Sequence, residues 1–408
     1  MNLLYLAHRI PYPPNKGEKI RAYHELRYLC RRHEVSLVCL VDRSEEWAYV
    51  DELRKLCRTV DAVPLRTPWA SVKALVQLPR RRPLTLGYFG SSALEELVHL
   101  RLFTERYDAI LVFSSSMGAY VEDVTGTPVV VDFVDVDSHK WHQFARHQPR
   151  LRRWIYRLES QRLRAYEARL GRLAKACVFA TDSDAALYRA LAPEANIQVV
   201  PNGVDTDYFR PDLGNGYRHA AKPAVVFTGA MDYFPNADAA CYFVREVWPL
   251  VRRHVPNARF FIVGRNPTDA VRRLAEVPGV VVTGTVEDVR PYLAQATVSV
   301  APLRIAQGVQ NKILEAMAMG VPVVASPEAF DGIRATPGQD LYVESDARRM
   351  ACRVVKVIRN PHVAQRLRLQ GLRVIRKHYD WTRNLSRLEE ILLNAVEERP
   401  RVALPALV

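Results

Sequence analysis

The sequence has no apolar run approaching the ~18–20 residues needed to cross a bilayer, which argues against a membrane-spanning helix. Its start, Met1–Leu6, is apolar but too short for a signal core and runs straight into His8-Arg9-Ile10-Pro11, so it reads as a first buried strand. The six cysteines (Cys30, Cys39, Cys57, Cys177, Cys241 and Cys352) are scattered without metal-ligand or redox spacing. Most stand in apolar surroundings, as the reduced thiols of a cytoplasmic protein do. Also missing are a biased tract, a solenoid-type repeat, and any helix-turn-helix, zinc or aromatic RNA-binding motif. Nucleic acid is therefore not an expected partner, despite a net charge of +14.

That charge needs another account, and an anionic membrane or phosphorylated ligands would supply it. The excess is concentrated in Arg80-Arg81-Arg82 and between Arg146 and Arg172, where nine arginines are interleaved with Trp154, Tyr156 and Tyr166. This layout suits a basic amphipathic helix on the first domain. A solvated helix face is the plain alternative. Peripheral attachment to the inner face of the plasma membrane is the functional one, since each Lys or Arg near an anionic leaflet adds about 1 kcal/mol.

A chain of 408 residues is too long for one ordinary core, so two domains are expected. Strand-like apolar runs alternate with helical patterns, the signature of parallel α/β sheets. In the first half they fall at Leu3–Ala7, Val35–Val41, Ala62–Leu65, Ala109–Phe113, Val129–Val134, Cys177–Ala180 and Ile197–Val200. The helical stretch Glu18–Arg32 places Ile20, Tyr23, Leu26 and Cys30 on one face. After Pro201-Asn202-Gly203-Val204-Asp205 a polar stretch up to Lys222-Pro223 is the best linker. The rhythm then restarts, with strands expected at Ala224–Thr228, Phe260–Val263, Val280–Thr283, Val298–Ala301 and Val321–Ala325. Helices are expected at Ala237–His254, interrupted by Pro249, and at Lys312–Met319. The implied architecture is α/β: two doubly wound, Rossmann-like domains across a cleft, with ligands at the carboxyl ends of the strands. The domains are read as 1–203 and 204–380, a helix 381–398 packing back on the first, and a loose tail 399–408.

The most informative stretch runs from Ala301 to Ser326. A strand ends near Leu303, a loop containing Gly308 follows, a helix begins near Asn311, and Gly320 caps it before another strand. Such a junction points free N–H groups and the positive dipole end at whatever sits above it, and phosphate is the natural occupant. Lys312 and Glu315, three residues apart, project from one face. A cation for a diphosphate beside a carboxylate for sugar hydroxyls suits a nucleotide-sugar site. A surface Lys/Glu pair on a packed helix is the plain alternative. In the first half, Gly17 opens a helix at the cleft end of the sheet, where backbone can approach a phosphate. Asp132, Asp135 and Asp137, with His139 nearby, follow another strand that ends at the same edge. Acceptor-hydroxyl binding, metal ligation and turn capping are the readings open to them.

The run Leu314–Ser326 resembles the donor-site signature of glycosyltransferase family 4. Pro201-Asn202-Gly203-Val204-Asp205, Phe227-Thr228-Gly229, Ile262-Val263-Gly264 and Thr283-Gly284-Thr285-Val286 agree with it in order and spacing. The resemblance covers essentially the whole chain and implies a GT-B fold, retention of anomeric configuration, and no metal or other cofactor. Met231–Asn236 and Gly308–Lys312 look closer still to a bacterial exopolysaccharide branch associated with exosortase (PEP-CTERM) systems. The donor-binding residues so implied are Gly17, Gly229, Gly264, Arg265, Val286, Arg304, Gln307, Gly308, Val309, Gln310, Asn311, Lys312 and Glu315. Lys312, Glu315 and Asp135 carry the chemistry, with Asp135 orienting the acceptor hydroxyl. Asp132, Asp135, Asp137 and His139 bind a saccharide or lipid-linked acceptor.

The sequence departs from the family at three places. Gln307 stands where the first of two glutamates is usual. The usual Arg and Lys after Gly229 are replaced by Ala230-Met231-Asp232 and Pro235-Asn236, which leaves the diphosphate to Lys312, Arg304 or Arg265. The histidine usual after the strand at Val129–Val131 is absent, and Asp132, Asp135 and Asp137 stand there instead. A nucleotide-sugar epimerase on the same scaffold, or a catalytically silent member of a polysaccharide locus, are the competing readings.

Overall fold

The computed structural model describes every residue except 16, 66–69, 71–73, 75, 78–80, 147–148, 212–222, 307 and 399–408, and the side chains of 146 and 151. Arg80, Gln307, most of the polar stretch before Pro223 and the expected tail therefore lie outside the described residues. The chain divides into two compact units, one of Met1–Val200 plus the segment from Thr382 onward, the other Pro201–Trp381.

The first unit holds β1 (Asn2–Ala7), β2 (Glu34–Val41), β3 (Thr59–Pro64), β4 (Ala109–Phe113), β5 (Val129–Val134), β6 (Ala176–Phe179) and β7 (Ile197–Val199). They form one sheet in the order β3-β2-β1-β4-β5-β6-β7, and every pairing is parallel. Burial follows position. The central strand β4, Ala-Ile-Leu-Val-Phe, is buried throughout, whereas all three residues of the edge strand β7 are half-exposed. A parallel strand covered on both faces needs apolar side chains in both directions, hence the continuous runs.

The first helix, Gly17–Leu29, departs from the amphipathic reading. Ile20, Tyr23 and Cys30 are only half-buried, while Lys19, Arg21 and Glu25 are inside. Arg21 donates through Nε (2.8 Å) and an Nη (2.6 Å) to one oxygen of Asp132, pairs with Glu25 at 2.9 Å, and donates to the Val200 carbonyl at 2.8 Å. The Tyr5 hydroxyl donates to Glu25 at 2.7 Å. A buried guanidinium is tolerable only when its donors are used this fully. The helix Trp381–Glu397 joins this unit, where Glu389 accepts from the Tyr28 hydroxyl at 2.7 Å and pairs with His33 at 2.8 Å.

In the second unit β8 (Ala224–Thr228), β9 (Arg259–Val263), β10 (Val280–Gly284), β11 (Val298–Ala301), β12 (Val323–Ala325) and β13 (Tyr342–Val343) form a parallel sheet. Its order is β10-β9-β8-β11-β12-β13. The helix Phe234–Tyr242 passes through a π turn, Phe243–Val247, into Trp248–His254. Pro249 sits in the first turn of that last segment, where its missing N–H is least costly. The helices Ala347–Arg359 and Pro361–His378 complete the unit.

Candidate functional site

In both sheets the crossovers reverse direction once, between β1 and β4 and between β8 and β11. Doubly wound sheets bind ligands beyond the carboxyl ends of the strands at such switch points.

At the second switch point β11 ends at Ala301, the backbone turns through Gly308 at φ 64°, and the helix Asn311–Ala318 begins. Among the described residues no side chain caps that helix, and Gln310 directs its Nε2 to the Gly308 carbonyl at 3.3 Å. The Ile313 N–H turns back to the Gln310 carbonyl at 2.9 Å, which leaves the N–H groups of Asn311 and Lys312 to a ligand or water. Asn311 accepts from Asn202 Nδ2 at 3.5 Å. Lys312 donates to Asn236 Oδ1 and lies 4.8 Å from the Phe227 ring centroid. Asn236 Nδ2 donates in turn to the Ala230 carbonyl at 2.9 Å, fixing the amide so that its oxygen faces the ammonium. Burial draws the Lys312 pKa down to about 8 and pushes Glu315 up to about 7, and each charge partly offsets the other's shift.

Beside them the loops after β8 and β9 interlock. Gly229 N–H donates to the Val263 carbonyl at 3.0 Å, and Met231 N–H to the Arg265 carbonyl at 2.9 Å. A Cβ on Gly264 would lie 1.7 Å from the Gly229 carbonyl oxygen, so only glycine allows this approach. Val286 and Val309 are half-buried against the core of this unit. Arg304 is already tied to Asp238, which reduces its value as a phosphate ligand. The structure thus brings Gly229, Gly264, Lys312 and Glu315 to one edge. It adds Asn236, which the sequence reading passed over because a lone buried asparagine has no signature of its own.

The first switch point is more altered. Asp132 is fully buried under Arg21 and accepts from Val134 N–H at 2.8 Å, so the acceptor-binding role expected for it is corrected to a structural one. A carboxylate sealed inside the sheet has no face left for a ligand, and the three aspartates do not converge. Among the described residues no group of three or more His, Cys, Asp or Glu is arranged to hold a metal ion. Asp135 remains half-exposed, and burial raises its pKa to about 7, with Asp184 and Asp137 adding to the rise and Lys140 and Arg21 opposing it. Asp137 accepts from the Ser115 hydroxyl at 2.9 Å. His139 contacts Gln143 at 2.9 Å along its own helix. Gly17 is the first residue of its helix.

His8, also passed over, directly follows β1 at this edge, its ring stacked on Phe113 at 5.9 Å. Burial holds its pKa down near 4, so it is a neutral imidazole at physiological pH. Ser114 (φ 78°) and Val134 (φ 64°) occupy the left-handed region at the neighbouring strand ends, a costly conformation for a β-branched residue.

Comparison with known proteins agrees with this arrangement. Residues 17–203 match the family described as "Glycosyl transferase 4-like domain", and residues 222–360 match "Glycosyl transferases group 1". The GDP-mannose-dependent alpha-(1-6)-phosphatidylinositol monomannoside mannosyltransferase of Mycobacterium tuberculosis is 34% identical over 155 residues, 33% of this chain and 39% of that enzyme. Its counterpart in Mycolicibacterium smegmatis is 28% identical over 235 residues, 52% of this chain and 59% of that enzyme. The chain thus spans less than two thirds of the length of these curated relatives. Among solved structures, sucrose-phosphate synthase from Thermosynechococcus elongatus superposes with a TM-score of 0.71 at 15% identity, over 97% of this chain and 99% of that one. Anabaena HepE in complex with UDP and glucose gives 0.69 at 13% identity, over 97% and 100%. Each half thus carries a glycosyltransferase domain, the 4-like domain over residues 17–203 and the group 1 domain over residues 222–360, and the two together have the GT-B fold of these solved structures.

Proposed function

We propose that the enzyme transfers a sugar, with retention of configuration and without a metal, from a nucleoside-diphosphate sugar to a saccharide or lipid-linked acceptor in bacterial exopolysaccharide assembly. The observation that carries this reading is the uncapped start of the helix Asn311–Ala318 with Lys312 held beside it by Asn236. Departure of the nucleoside diphosphate leaves negative charge on its terminal phosphate, and fixed donors aimed there lower the barrier. The N–H groups of Asn311 and Lys312 and the Lys312 ammonium are the donors this chain offers. Glu315, three residues along, accepts from donor hydroxyls, and Gln307, outside the described residues, would do the same. Asp135, a carboxyl poised near neutrality, orients the acceptor hydroxyl. The relatives' names make GDP-mannose the first donor to try and UDP-glucose the second.

The helix Arg150–Leu173 is read as the acceptor-side contact with an anionic inner leaflet. Arg152, Trp154 and Arg157 are exposed on it, whereas Arg169 and Arg172 are engaged by Glu122 and Glu194.

The test is calorimetry of free GDP and UDP with a donor-panel assay run in EDTA. Lys312→Ala is expected to weaken nucleotide binding by about 1.5–3 kcal/mol, the worth of a hydrogen bond to a charged group. Unchanged affinity would move the phosphate site elsewhere, and activity lost to EDTA and restored by magnesium would overturn the metal-free reading.

A further inference from the structure

Positive charge is even less opposed in the second unit than in the arginine-rich helix of the first. Between residues 347 and 378 stand eight arginines, two lysines and no aspartate or glutamate, in a chain whose net charge is +14. The two helices of this segment, Ala347–Arg359 and Pro361–His378, pack against each other. Each buries one side, the first through Met350, Val354 and Val357, the second through Leu367, Val374 and Ile375. On the opposite side of the second helix, helical spacing sets His362, Arg366, Leu369, Arg373 and Arg376 in one row, and all are exposed. Leu369, in the middle of the row, is 47% exposed.

Local stability does not account for this face. Basic residues in a last helical turn complement the dipole, which fits Arg376. Arg348 and Arg349, however, occupy the first turn of their helix, where that dipole repels them. Arg353 is drawn to Glu344 at 2.6 Å. Among the described residues no carboxylate is within ion-pair distance of Arg348, Arg349, Lys356, Arg373 or Arg376. Unopposed charges that repel one another are kept at some cost, and an anionic partner relieves it.

We propose that this face of the second unit is a docking surface for an anionic lipid bilayer, with Leu369 set among the headgroups and Arg366, Arg373 and Arg376 against lipid phosphates. An apolar side chain at the centre of a basic row fits a lipid interface. Single-stranded nucleic acid is a poorer fit, because the segment has no Phe, Tyr or Trp on which bases could stack.

The experiment uses the full chain with vesicles of phosphatidylcholine, with and without about a third phosphatidylglycerol, at low and at physiological salt, where the Debye length is about 8 Å. The variant Arg366→Gln/Arg373→Gln/Arg376→Gln alters only exposed side chains. It is expected to lower the partition coefficient onto anionic vesicles at least about tenfold, each charge being worth up to roughly fivefold. Nucleotide affinity should be unchanged. An environment-sensitive fluorophore on the exposed Cys352 should shift to the blue on those vesicles and revert as salt is raised. The variant Arg152→Gln/Arg153→Gln/Arg157→Gln tests the first-domain contact separately, so either face can fail without the other. Parent-like partition of the second-domain variant, or a silent Cys352 probe on bound protein, overturns the proposal. So does a defect seen with single-stranded DNA but not with vesicles.

Discussion

At Lys312 and Glu315 the unliganded site works against folding. The Glu315 pKa lies near 7 rather than 4.5, so as pH rises from 4.5 to 7 the unfolded chain releases a proton that the folded one keeps, and stability falls. The Lys312 pKa lies near 8 rather than 10.5, so stability is also lost as pH falls from 10.5 through 8. Around neutrality both costs are present, and a bound diphosphate would offset the second by replacing the hydration that the buried Lys312 ammonium has lost. Glu315→Gln is therefore expected to flatten the pH dependence of unfolding between about pH 5 and 7. It should recover about 1 kcal/mol, well under the full shift because the group is only half-buried. Urea titrations at three pH values would show it, and an unaltered slope would mean that Glu315 is solvated. Lys312 and Glu315 were legible from their spacing in a loop-to-helix junction. Asn236 and His8 were not, since their roles depend on contacts made by the fold, with Lys312 in one case and Phe113 in the other. Asp132 misled because its partner, Arg21, lies far off in sequence on a helix whose charged side looked solvent-facing.

Among elements, the strands were the readable part of the chain. All twelve apolar runs overlap a strand of the sheets, because a central parallel strand needs apolar residues on both faces. The residues Tyr342–Val343 are too short a run to register, although they form the edge strand β13. Periodicity failed at Gly17–Leu29, where internal ion pairs take the place of apolar burial. Two glycines at strand ends of the second sheet separate two reasons for glycine. Gly264 has no room for a side chain, whereas Gly284 has φ 72° and nothing within 4 Å of the place a methyl group would take. Gly264→Ala should cost about 3–5 kcal/mol, as a clash with backbone does, and should abolish nucleotide binding by parting the β8 and β9 loops. Gly284→Ala should cost only about 1–2 kcal/mol, the penalty of the left-handed region. Thermal melts of both variants check the contrast, and equal losses would refute it.

On the scale of the whole molecule, the chain leaves the first unit after Val200 and returns to it at Thr382. Within the second unit the two ends of that excursion are laced together. Val204 bridges Asp380, its N–H donates to the Tyr379 carbonyl at 2.9 Å, and a Cβ on Gly203 would strike the Trp381 indole at 2.6 Å. Topologically, then, the second domain is an insertion whose entrance and exit share one doorway. It has its own sheet and apolar core, so residues 201–381 expressed alone should fold as a cooperative unit. They should bind nucleoside diphosphate with nearly the affinity of the parent, because the start of the helix Asn311–Ala318 and Lys312, the donors proposed for the phosphates, lie inside it, and Gly17 alone of the expected donor-binding residues lies in the first unit. A fragment that melts without cooperativity, or that ignores nucleotide, would mean the first unit is needed to complete it. The same doorway makes the module exchangeable: another domain of this fold could be spliced in at these neighbouring ends, leaving the first unit as it was.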